Sequence, residues 1–168
     1  MHALYIVSVW LHVIAATIWL GGMLFLVLVV VPWLRREGRA QGVTFLRETG
    51  ARFRVVGWSC FAVLLVTGTF NLWMRGVRLP DFLRDEWRAT PFGRAVLWKL
   101  GLFILILLMS IVHDFVVGPG ATRALARDPR SPEAERWRRA ASLMGRTSVV
   151  LALCVVMLAV ILVRGWPF

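Results

Sequence analysis

The sequence predicts an all-α polytopic membrane protein, a single membrane domain over residues 1–168 folded as a four-transmembrane-helix bundle with both termini outside. Three observations carry the prediction. The chain is 59% hydrophobic, 17% charged and has a mean hydropathy of +0.73, which does not describe a soluble globule. Four stretches of spanning length are uncharged or nearly so. The positive charge, 19 arginines and a single lysine, gathers almost entirely in the connectors between those stretches. Too few residues remain for a second folded domain, which excludes a large soluble enzyme domain.

The first span covers residues 3–34 and carries no ionisable interior group other than His12; Pro32 and Trp33 mark its far end. No basic n-region or small-residue cleavage site precedes it, so it reads as a retained span and not as a signal peptide. The second span covers 55–74, the third 92–117 with Lys99 inside it, and the fourth 147–163. Runs of this length fit helices and lack the alternation of roughly ten-residue barrel strands. Gly118-Pro119-Gly120 is expected to stop the third helix, and Ser131-Pro132-Glu133 to cap the start of the next, ahead of the membrane. Between Arg75 and Arg94, mixed charges interleaved with Phe82 and Trp87 suit a short surface helix.

A net charge of +11 invites a nucleic-acid reading, but its placement answers that reading: connector arginines set topology and meet anionic lipid head groups. The first and third connectors carry 13 arginines against 6 on the opposite side, including Arg164. That asymmetry predicts a multi-pass protein of a bacterial-type inner membrane with its termini outside. Trp10, Trp33, Trp73, Trp87, Trp98 and Trp166 fall near span ends, as interfacial anchors do.

Ionisable groups inside spans cost several kcal/mol, which singles out His12, Lys99, His113 and Asp114. At about 1.5 Å per residue, His12 lies roughly 13 Å from the outer surface, and Lys99, Gly68 and Met157 lie about 10 Å from it. Thr67 and Asn71 belong near this layer on the second helix. Tyr5, Ser8, His12, Ala15, Trp19 and Gly22 recur at three- and four-residue steps and form a polar, small-residue stripe expected to face the bundle. On the third helix Lys99, Phe103, Ile106, Ser110 and His113 share a face, with His113 roughly 10 Å deeper than His12. Cys60 and Cys154 both fall in apolar runs and are expected to be free thiols. Together with His113 they make a soft-ligand set suited to Cu(I) at the inner end, or else simple apolar filler beside a His113–Asp114 pair.

The string from His12 through Trp19 to Gly21-Gly22 resembles the opening signature of the copper-resistance protein D (CopD) family of bacterial integral membrane proteins. Leu65-Val66-Thr67-Gly68 and Phe92-Gly93-Arg94 followed by Lys99 fit the same pattern in order. The His, Trp-Gly and Lys pattern also resembles HemJ-type membrane protoporphyrinogen oxidases, which implies a b-type haem with His12 axial and Lys99 as its partner or a propionate contact. The first resemblance implies copper homeostasis or transport, with His12 and Met157 binding copper and Trp19, Thr67, Asn71 and Lys99 completing the outer-half site. The second implies a haem-dependent membrane oxidoreductase or electron-transfer subunit. A third expectation is a non-catalytic accessory subunit whose stripe packs on a larger complex. Expected partners are the anionic bilayer, a periplasmic metal donor or electron-transfer protein, and a second copy of the chain; nucleic acid is excluded.

Overall fold

Hydrophobic runs with no room for unsatisfied backbone groups fold as continuous helices, and the computed structural model of the protein shows them. It describes residues 1–33 and 39–164, without the side chains of 39–44, 46 and 47. Leu34, Arg35, Arg36 and Trp166 therefore lie outside the described residues. The helices are α1 (His2–Trp33), α2 (Arg39–Met74), α3 (Asp85–Ala89), α4 (Pro91–Arg127) and α5 (Pro132–Arg164). All but α3 include a segment long and apolar enough to cross a membrane, and no strand occurs among the described residues. The chain is a multi-pass membrane protein. Outward faces carry residues such as Val13, Leu65, Val150 and Val163, the surface a hydrocarbon solvent requires.

Helices α1 and α2 pack as one antiparallel pair and α4 and α5 as another. A shared core of Ala15, Trp19, Cys60, Phe61, Leu64, Ile106 and Ala152 joins the pairs, one cluster drawing on all four long helices. The Trp19 ring lies 4.9 Å from Phe61, which meets Trp58 and Phe103 edge-on. In lipid this association rests on close packing, since leaving the tails for the bundle gains no hydrophobic energy. Small residues permit it. A Cβ at Gly22 would overlap the Phe53 ring, and one at Gly57 would sit 3.7 Å from Trp19.

The ends of the helices follow local chemistry. Gly76, at φ +82°, closes α2: its N–H bonds to the Trp73 carbonyl and that of Val77 to Leu72, a Schellman closure that favours glycine. The connector to α4 folds as a 3-10 turn (Leu79–Leu83) and α3, tied by Asp81–Arg84 and Asp85–Arg88 pairs. Thr90 caps α4 by accepting from Gly93 N at 2.9 Å, and Ser131 caps α5 by accepting from Ala134 N at 3.1 Å, as the Ser-Pro-Glu sequence predicts.

One expectation is corrected. Gly118-Pro119-Gly120 does not end the third helix, which continues to Arg127. A π-helical turn at His113–Val117 immediately precedes the triplet, and Gly118 N bonds back five residues to the His113 carbonyl. The wide turn makes room for a proline ring that would otherwise collide with the preceding turn. Gly120 serves packing here, since a Cβ on it would lie 2.9 Å from the Trp137 ring. The same device recurs in α1, where a π-helical turn at Leu26–Val30 precedes Pro32. Helix α2 begins at Arg39, sixteen residues before the apolar run at Val55, so much of the first connector is helix.

Candidate functional site

At the end of the bundle that carries the termini, the stripe of α1 meets the Thr67–Asn71 face of α2. Ser8, Ala15 and Trp19 are buried along it, with Tyr5, His12 and Gly22 partly so. His12 Nδ1 lies 2.8 Å from the Thr67 hydroxyl, and that hydroxyl donates its one proton to the Val63 carbonyl at 2.6 Å. Thr67 Oγ1 therefore accepts from His12, which places the imidazole proton on Nδ1 and leaves the Nε2 lone pair free. Among the described residues Nε2 has no hydrogen-bond partner. Gly68 leaves room for the ring, since a Cβ there would stand 3.3 Å from His12 Cε1. The Ser8 hydroxyl reaches the Thr67 carbonyl at 3.5 Å, and Tyr5 accepts from Arg75 at 3.3 Å.

Lys99, partly buried, enters from α4 within electrostatic range of His12 and Arg75. Among the described residues the Asn71 Oδ1 atom is buried without a partner, the orphan that a strong hydrogen bonder in lipid is expected to avoid. Trp19 lies below the layer, its ring held in the core by Phe61. Met157 does not join these residues. It is 63% exposed on the outward face of α5, because Ser148, Val149 and Ala152 fix the inward face of that helix and depth alone does not set rotation.

The soft-ligand set at the other end is not assembled either. Both cysteines are free thiols, but Cys60 is buried in the core while Cys154 faces outward. His113 sits apart from them with its Nδ1 3.0 Å from Asp114 Oδ1, and Asp114 also accepts from Trp58 Nε1 at 3.1 Å. This is a satisfied polar triad, and Trp58 is the member that sequence reasoning missed. Its indole lies one turn past Arg54 on α2, and only the fold shows that it reaches α4. No cluster of three or more His, Cys, Asp or Glu side chains suited to a metal ion occurs among the described residues.

Comparison with known proteins decides the family. The profile described as Copper resistance protein D matches residues 47–162, more than half the chain. The chain belongs to the copper resistance protein D family. It is similar to an uncharacterised protein of Aquifex aeolicus, 31% identical over 157 residues, or 93% of each chain. It is also similar to the copper transport protein CutJ of Bacillus subtilis, 34% identical over 103 residues; the match takes in 61% of this chain and 17% of CutJ. No solved structure matches it significantly. These comparisons make this family member a copper-related membrane protein, and they do not extend to the HemJ-type likeness.

Proposed function

We propose that this family member handles copper as cargo in a bacterial-type inner membrane, receiving the ion on Nε2 of His12 at the outward, terminus-bearing end. The observation that carries the proposal is the Thr67 hydroxyl. Its proton is committed to Val63, so it fixes His12 in the tautomer that offers a lone pair, much as outer-shell acceptors orient metal-binding imidazoles elsewhere. Imidazole is a good copper ligand. With Met157 turned outward and the Lys99 ammonium nearby, the ion is held weakly, which suits hand-over better than storage. A metal donor outside the membrane then supplies the ion and its other ligands during transfer.

One observation favours a second reading: a cation in the same layer as a free imidazole also suits a b-type haem, which His12 would ligate and Lys99 would help to hold. An absorption spectrum and elemental analysis of protein purified in mild detergent, followed by Cu(I) titration, separate the two. Copper binding lost in His12→Ala supports the proposal. A reducible Soret band that disappears in the same variant overturns it in favour of haem. Neither signal, together with a co-purifying membrane complex, leaves an accessory subunit.

A further inference from the structure

The opposite, arginine-rich end of the bundle holds a cavity of about 1230 Å³ that the copper reading does not use. Its deep wall is apolar, built from Trp19, Met23, Phe53, Trp58 and Phe61. Both π-helical turns border it, Leu26 and Val27 from α1 facing His113 and Asp114 from α4. Such turns widen a helix and are frequent at functional sites.

The charged part of the lining is unbalanced. Among the described lining residues five arginines, Arg54, Arg123, Arg138, Arg139 and Arg146, stand against Asp114 and Glu135. Both acids are already engaged: Glu135 by Arg138 and Arg139, Asp114 by Trp58 and His113. Arg54 Nε is buried and has no acceptor among the described residues. A charged N–H in that state is costly and favours an anionic acceptor. Its height matters too. Arg54 directly precedes the apolar run of α2 that begins at Val55, which places it at the head-group edge of that span.

From this combination we infer that the cavity holds one acidic phospholipid, its acyl chains against the aromatic wall and its phosphate on Arg54 and the α5 arginines that share the lining. An apolar depth, a cationic rim and a position at head-group height match such a lipid on each count, and guanidinium pairs with phosphate through parallel hydrogen bonds. Neither copper nor His12 enters the argument, so it stands apart from the function proposed above.

Native mass spectrometry of the full chain in a neutral detergent, titrated with phosphatidylglycerol or phosphatidylcholine, tests it. One phosphatidylglycerol should be retained in preference to phosphatidylcholine, and Arg54→Gln should weaken retention by about tenfold or more, the loss expected for one charged hydrogen bond. Arg88→Gln, at the other end of the bundle, should leave it unchanged. Far-ultraviolet circular dichroism confirms that Arg54→Gln remains helical, and Arg146→Gln, expected to weaken retention likewise, serves if it does not. Equal retention of the two lipids, unchanged retention in both cavity variants, or displacement of the lipid by millimolar inorganic phosphate would each overturn the inference. The last outcome would reveal a site for a free anion.

Discussion

Replacing Thr67 by valine removes one oxygen and keeps the shape, so it isolates the contact on which the His12 assignment depends. Two hydrogen bonds disappear, from His12 Nδ1 at 2.8 Å and to the Val63 carbonyl at 2.6 Å. The second loss is small, because that carbonyl remains within the hydrogen-bonded ladder of α2. The first leaves an N–H without an acceptor in a partly buried place. Side-chain hydrogen bonds between membrane helices average near 0.6 kcal/mol and an orphaned donor costs about 1–3 kcal/mol, so a destabilisation of about 1 kcal/mol is expected. The larger effect falls on the metal. Freed to rotate and change tautomer, His12 should bind Cu(I) roughly 10- to 100-fold more weakly, as when the outer-shell partner of a ligating histidine is removed. Competition with a Cu(I) chelator in detergent measures the affinity, and a thermal melt on the same sample measures the stability. Unchanged affinity in Thr67→Val beside a clear loss in His12→Ala would refute the orienting role of Thr67; unchanged affinity in both would remove His12 as the ligand.

Three further outcomes follow from the same geometry. Met157→Ala should leave copper affinity within about twofold of the wild type by the chelator assay, since the side chain faces outward. Gly120→Ala should destabilise the inner end by about 1–3 kcal/mol in a thermal or denaturant melt, because the new methyl meets the Trp137 ring at 2.9 Å. Single cysteines introduced at Arg88 and at Arg136, in a background without Cys60 and Cys154, should react with a membrane-impermeant maleimide from opposite sides, Arg88→Cys from outside; labelling of both from one side would contradict the arginine-based topology.

The spans were legible because twenty apolar residues in lipid have one solution, and the inward faces of α1 and α4 were legible because small and polar residues repeat at helical steps. The sequence could not show how proline would be treated. Pro119 between two glycines reads as a stop in water, yet in the bundle a π-helical turn absorbs it and Trp137 packs where a side chain on Gly120 would be. Rotation was equally hidden for α5: its run of Val, Leu, Ala and Met has no polar stripe, so depth placed Met157 beside His12 while packing turned it outward. The pairing of His12 with Thr67 was half visible, as two residues at one depth. Which nitrogen carries the proton required the Val63 carbonyl, a backbone atom that no side-chain pattern reports.

The two ends of the molecule are divided by their own core. His12 and Trp19 are seven residues apart on α1, about 10 Å along the axis, and Trp19 both forms part of the cavity wall and seals the core against Phe61 at 4.9 Å. An ion leaving His12 toward the arginine-rich end would have to pass that indole and then cross a cavity whose net charge repels cations. Transit through a single bundle is therefore disfavoured twice, by packing and by charge. The arrangement fits hand-over on the terminus-bearing side better than a pore. Trp19→Ala separates the two ideas: it should cost about 3–5 kcal/mol of stability by opening the core, yet it should not raise copper flux into proteoliposomes. A rise in flux that depends on His12 would show that the indole is a gate and that the ion passes through the bundle after all.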